Sequence, residues 1–133
     1  MDKTKVKAEF SIFGDEFNTS DITRKLNIEP NNTYNKGDYI RKNIFRKETA
    51  WQIYTEYEEC SDINYVLIKI LDKISDKIDI LVSIKNLYDV QLKFEIVINV
   101  ENNETPSMCL DEQTIEFMGK IKAYIDFYVY IYS

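Results

Sequence analysis

Residues 61–81 read SDINYVLIKILDKISDKIDIL, and the fold turns on how this stretch is read. Ile63, Val66, Leu67, Ile70, Leu71, Ile74 and Ile78 recur at steps of three and four. That spacing lines one face of an α-helix. Ser61 or Asp62 can cap its first turn, because a short side-chain oxygen accepts from a backbone N–H that the helix leaves unpaired. Asn64, Lys69, Asp72, Lys73, Asp76 and Lys77 fall on the opposite face, which belongs in water. A helix this one-sided needs a broad apolar surface to lie on. Residues 80–88, just beyond it, fit either a second short helix or a strand.

Alternating segments supply the surface. Val6, Ala8, Phe10 and Ile12 alternate with Lys5, Lys7, Glu9 and Ser11, and Gly14 closes the run. Trp51, Ile53, Thr55 and Tyr57 alternate with Ala50, Gln52, Tyr54 and Glu56. Leu92, Phe94, Ile96, Ile98 and Val100 alternate with Lys93, Glu95, Val97 and Asn99. In residues 120–131, KIKAYIDFYVYI, one face carries Ile121, Ala123, Ile125, Phe127, Val129 and Ile131, and the other carries Lys122, Tyr124, Asp126, Tyr128 and Tyr130. A period of two marks strands with one buried face.

Two short helices complete the pattern. Asn18, Thr19 or Ser20 can cap one through Asp21, Ile22, Leu26 and Ile28, which Pro30 stops. Asp111 can cap another through Ile115, Phe117 and Met118, which Gly119 ends. Residues 31–48 read as a long polar loop with a short strand, 101–104 as a turn and 107–110 as a short strand. The acidic corner of Glu56, Glu58, Glu59 and Asp62 suits the positive end of the long helix. The order is β-α-β-α-β-β-α-β. Strands buried on both faces would show continuous apolar runs, which are absent here. The expectation is an α+β two-layer sandwich, a mainly antiparallel sheet with helices packed on one face. A chain of 133 residues forms a single domain, 1–133, by length.

Composition narrows the chemistry. Seventeen Lys and Arg against 23 Asp and Glu leave a net charge of −6. That field discourages contact with nucleic acid and anionic lipid and favours a basic partner, although solubility alone is reason enough for it. The chain has no His, which removes imidazole dyads and imidazole-bearing zinc sites. Its glycines are Gly14, Gly37 and Gly119, so a phosphate-cradling glycine loop is absent. The acidic neighbours Asp111–Glu112 and Glu58–Glu59 lack the spacing of a calcium loop and read as solvated charge. No metal, no cofactor and no catalytic residue is expected, and an enzyme is not the favoured class. Cys60 and Cys109, without a CxxC, read as reduced, part-buried thiols. The N-terminus lacks an apolar leader core, and no run approaches the roughly 20 apolar residues that span a bilayer. A cytoplasmic location without membrane contact is the expectation. Heavy use of Ile, Lys, Asn and Tyr fits an AT-rich bacterial genome.

Two surface features stand out. Lys36, Arg41, Lys42, Arg46 and Lys47 interleave with Tyr34, Tyr39 and Phe45. This basic aromatic patch reads as an anion or partner site, or more plainly as a solvated loop whose aromatics pack on a sheet edge. Tyr124, Tyr128 and Tyr130 share the outer face of the last strand. Tyrosine suits strands for their own sake, and it also suits recognition, since it offers large contact area at small entropic cost. An RNA-binding sheet motif does not fit, because Gly119 is followed by Lys120-Ile121.

Phe10-x-Ile12-x-Gly14, Ile22-Thr23-x-x-Leu26-x-Ile28-x-Pro30, Lys36-Gly37-Asp38, Trp51 in a strand, and the closing Ile125-Asp126-Phe127-Tyr128-Val129 together resemble a bacterial domain-of-unknown-function family, number 4279. The resemblance implies a small bacterial α+β domain, brings no catalytic residues, and carries an association with accessory or immunity-type genes. The leading expectation is a non-enzymatic protein-binding domain, an immunity-type inhibitor. Its partner contacts would be Tyr124, Tyr128, Tyr130, Tyr34, Tyr39, Arg41 and Arg46. The alternatives are a structural homodimer pairing sheet faces or edges, and a small-ligand-binding protein or enzyme using the loop after Pro30.

Overall fold

The computed structural model describes residues 3–132. Its hub is β1 (Lys5–Gly14), whose alternation of apolar and polar residues puts Val6, Ala8, Phe10 and Ile12 on one face, all fully buried. β5 (Thr49–Tyr54) pairs antiparallel along one side of β1, with Ile12 opposite Trp51 and Phe10 opposite Ile53. β7 (Gln91–Val100) pairs antiparallel along the other, with Phe10 opposite Phe94 and Glu9 opposite Glu95. The short β2 (Asn32–Tyr34) flanks β5 at one edge. At the other edge β8 (Tyr124–Ile131) runs parallel to β7. The order is β2-β5-β1-β7-β8, and the sheet is open. β6 (Glu58–Glu59) continues the β5 side of β1, opposite Lys5 and Val6.

Helices cover the apolar face of the sheet. α1 (Thr19–Leu26) starts at Asn18, whose side chain accepts from the Ser20 amide at 2.9 Å. α2 (Asn64–Ile74) buries Val66, Leu67, Ile70, Leu71 and Ile74 in the core shared with β1 and β7. α3 (Ile78–Tyr88) adds Leu81 and Ile84. α4 (Glu112–Lys120) makes the crossover from β7 to β8 that a parallel pair requires. Asp111 caps it, accepting from the Thr114 amide at 2.8 Å, and that bond lowers the Asp111 pKa. The fold is therefore α+β, with helices on one sheet face.

Several expectations change. Residues 61–81 are not one helix: α2 ends at Ile74, and 75–77 turn the chain into α3. Lys77, at φ −120°, ψ 28°, is where the helical path breaks. The apolar steps run on through Ile74, Ile78 and Leu81, so periodicity alone does not reveal the turn. Residues 80–88 are helical. The N-cap position of α2 is Ile63, without a side-chain cap bond. Asp62 does act there, accepting from the Asn64 amide at 2.9 Å. Glu58, assigned to the helix terminus, instead pairs with Lys69 within α2.

Residues 107–110 form no strand. Ser107 makes an isolated bridge with Asp62, and its amide donates to the Ser61 carbonyl at 2.8 Å. Gly119 does not end α4, which continues to Lys120, and the left-handed residue is Lys122 at φ 52°. The loop 31–48 holds more structure than one short strand. Besides β2 it contains a hairpin of β3 (Tyr39–Arg41) and β4 (Ile44–Phe45). Gly37, at φ 92°, makes the turn into it, and the Gly37 amide bonds the Arg46 carbonyl at 2.8 Å. Cys60 is half-buried, but Cys109 is exposed, and both are free. The apolar side of β8 is not buried either: Phe127, Val129 and Ile131 are 40%, 46% and 72% exposed. They extend beyond the helical layer that covers Ile96, Ile98 and Val100 beside them.

Candidate functional site

The sheet face opposite the helices is made by the outward residues of the same strands. Cross-strand register lines them up in rows. One row runs Tyr54, Glu9, Glu95, Asp126, and the next runs Gln52, Ser11, Lys93, Tyr124. Glu9 and Glu95 sit at alternate strand positions whose neighbours, Ala8 and Phe10, and Phe94 and Ile96, are locked in the core. Burial on one face thereby fixes what the other face presents.

Three carboxylates side by side on adjacent strands repel one another. Lys93 partly offsets this. Its Nζ lies 2.8 Å from Glu95 Oε1 and 3.9 Å from Asp126 Oδ2, and 5.3 Å from the Phe13 ring centroid. Burial works against the Lys93 ammonium, but the hydrogen bond and charge of Glu95 outweigh it and hold its pKa above the ordinary value. Glu9 forms no such ion pair, and the charge of Lys7 favours its carboxylate less than the other influences oppose it. Burial, and then the charge of Glu95, push its pKa up from 4.5, although Ser11 Oγ donates to its Oε2 at 3.1 Å. Lys7 points instead towards aromatic rings, 4.7 Å from the Tyr54 centroid and 5.6 Å from Tyr57. A cavity of about 50 Å³, lined by Ser11, Phe13, Tyr34 and Lys93 among others, opens on this face. It is far smaller than the roughly 300–1,000 Å³ typical of small-molecule sites.

Glu9 gives a pH test. A proton that the folded protein keeps and the unfolded chain releases near pH 4.5 makes stability fall as pH rises from there through the folded pKa. Glu95, Ser11 and Lys7 act on it and Tyr54 stands opposite, and Glu9→Gln removes this titration while keeping an acceptor for Ser11 Oγ. The variant is expected to be more stable than wild type at neutral pH and to lose that decline, by about 1 kcal/mol or less given solvent screening. Urea midpoints followed by circular dichroism against pH check it. Identical pH slopes for the two proteins would exclude the effect.

The seven candidate contacts do not form one cluster. Tyr124, Tyr128 and Tyr130 lie exposed on β8, on the helix-free face. Tyr34 shares that face but sits on β2, at the opposite edge. Its ring carries the Arg46 guanidinium at 3.9 Å, and burial raises its pKa. Tyr39 and Arg41 belong to the β3–β4 hairpin, outside the main sheet, where Tyr39 packs edge-on against Phe45 at 5.9 Å. The hairpin's base is held to the end of β1 by Lys36 and Asp15, 2.6 Å apart. The residues that sequence reasoning missed are Glu9, Ser11, Lys93, Glu95 and Asp126. Their only signal was polarity at outward strand positions.

A second concavity, about 470 Å³, is lined by Lys3, Thr4, Glu59, Cys60 and Glu104, among others. Burial pushes the Cys60 thiol up, away from thiolate reactivity. Among the described residues, no group of three or more His, Cys, Asp or Glu is placed to hold a metal ion. None of their helices is long and apolar enough to cross a membrane. No curated protein and no solved structure matches the chain. The family model described as Domain of unknown function (DUF4279) matches residues 4–132, nearly the whole length, and the chain belongs to that family.

Proposed function

We propose that this chain is a non-enzymatic protein-binding domain, of the immunity type, whose helix-free sheet face receives a basic segment of another protein. The observation that carries the reading is the row Glu9, Glu95 and Asp126 bordered by exposed tyrosines. A row of like charges costs folding energy, and such costs are tolerated where a surface is used. An ammonium or guanidinium from a partner offsets the surplus negative charge, and Tyr124 and Tyr128 supply flanking rings for it to stack on. Aromatic anchors of this kind dominate binding energy at protein interfaces. The net charge of −6 steers a basic partner towards the surface.

The test is affinity capture with wild type and with Tyr128→Ala/Tyr130→Ala as bait. Wild type is expected to retain a basic protein, and the double variant to lose it by at least about tenfold, since anchor truncations cost about 2 kcal/mol each. Equal capture by both baits would remove the sheet face from the reading.

A further inference from the structure

The two edges of the sheet are finished differently. β2 spans three residues, follows closely on Pro30, and offers little backbone to another strand. β8 spans eight residues, contains neither Lys nor Pro, and holds unbroken register with β7. Of the usual devices that discourage edge pairing, Lys, Pro, a bulge and a short span are all missing from it, and a single charge, Asp126, is present. Side chains on both of its faces are exposed: from Phe127 to Ile131 the exposure runs between 39% and 72%.

The direction of the free backbone groups follows from one bond. The Tyr132 amide donates to the Val100 carbonyl at 2.9 Å, so even-numbered residues of this strand turn their backbone groups towards β7. By alternation, the amides and carbonyls of Ile125, Phe127, Val129 and Ile131 point outward, away from the sheet.

From this arrangement we infer that β8 is the seam of a two-fold homodimer, in which β8 of one copy pairs antiparallel with β8 of another to make one continuous sheet. The inference concerns the sheet edge, and stands whether or not the open face binds a basic protein. Centring the pairing on Tyr128 sets Phe127 opposite Val129 and Ile125 opposite Ile131 of the other copy. All four outward-facing residues then exchange hydrogen bonds, on the order of eight in total. The apolar side chains meet apolar side chains beside the helical layer, and the tyrosines meet on the open face. The one charge in the strand, Asp126, meets Tyr130 rather than its own copy. Sliding the seam by two pairs about Asp126 itself would oppose two like charges. With aromatic side chains offering about 150–250 Å² each, strand and flanking Tyr132 present on the order of 600 Å² per copy, near the roughly 800 Å² per partner of a standard interface.

Sedimentation velocity of the full chain across the micromolar range tests this, with Val129→Pro and Val129→Lys. Proline removes an outward donor and spares the β7 ladder, because edge strands accept it where the N–H faces away. Lysine adds the charge that guards natural edges. Wild type is expected to sediment as a dimer, and each folded variant to lose dimer affinity by at least about tenfold. A monomeric wild type throughout, or a dimer unaltered by both substitutions, would overturn the inference. Amide exchange on the wild type alone serves if the variants do not fold. Phe127 and Val129 amides should exchange more slowly at high protein concentration than at low, and rates independent of concentration would equally overturn it.

Discussion

Trp51→Ala is expected to remove about 3–5 kcal/mol of stability, enough to leave the chain largely unfolded at moderate temperature if its total is of the usual 5–15 kcal/mol. Trp51 is fully buried, opposite Ile12 on β1 and Thr33 on β2. Its indole Nε1 donates to Thr23 Oγ1 at 3.0 Å, so one side chain joins the sheet to α1. Alanine forfeits the ring's transfer energy and leaves a cavity that two strands and a helix cannot readily close. The hydrogen bond is the smaller share. Trp51→Phe keeps most of the apolar volume, and is expected to lose roughly half as much or less. Urea unfolding must be followed by circular dichroism, because Trp51 is the only tryptophan and its fluorescence disappears with it. A loss below about 1 kcal/mol for Trp51→Ala would show that the β5–α1 junction is not where the fold draws its stability.

The core was legible because burial imposes periodicity. Val6, Ala8, Phe10 and Ile12 alternate with polar residues, as do Leu92, Phe94, Ile96, Ile98 and Val100 apart from the outward Val97, and each of these inward positions is at most 2% exposed. Two caps were legible for a similar reason: Asp111, and Asn18 among the three candidates at 18–20, supply a short acceptor where a helix leaves amides unpaired. The break at 75–77 was not legible. A three-residue turn between helices that lie on one core preserves the phase of the apolar stripe, and no Gly or Pro marks it. The exposure of Phe127 and Val129 was equally hidden. Alternation reports which side chains share a face, but whether that face is covered depends on strand order and on how far the helices reach.

The same limit applies to the site. Tyr128 and Tyr130 could be assigned to an outward face from spacing alone. Glu9 and Glu95 are 86 positions apart in the chain and become neighbours only because β1 and β7 pair in one particular register. A slip of two residues would set Glu9 against Lys93 or Val97 and dissolve the carboxylate pair. What selects the register is the apolar face beneath, where Phe10 meets Phe94 and Ile12 meets Leu92.

Phe94→Ala tests that dependence and carries the second large cost, again about 3–5 kcal/mol. Phe94 is fully buried between Phe10 and Ile125 on the neighbouring strands, with its ring 4.9 Å from that of Phe10 at a 44° tilt. Such a pair adds about 0.5–1.5 kcal/mol to the burial itself, so Phe10→Ala and Phe94→Ala should combine to less than the sum of their separate losses. Phe127, next on the row above, makes the contrast: it is 40% exposed and its truncation leaves no enclosed cavity. Phe94 also stands between Lys93 and Glu95, whose side chains leave the strand on the opposite face. In a folded fraction of Phe94→Ala held at low temperature, slack in β7 reaches the Lys93–Glu95 pair directly, and the coupling of Glu9 to Glu95 loosens with it. Chemical denaturation gives the energy, and titration of the Glu9 carboxyl by NMR gives the coupling. Full wild-type stability would mean that register is set elsewhere. A large loss with an unshifted Glu9 titration would mean that the carboxylate row is held by the β1 side alone.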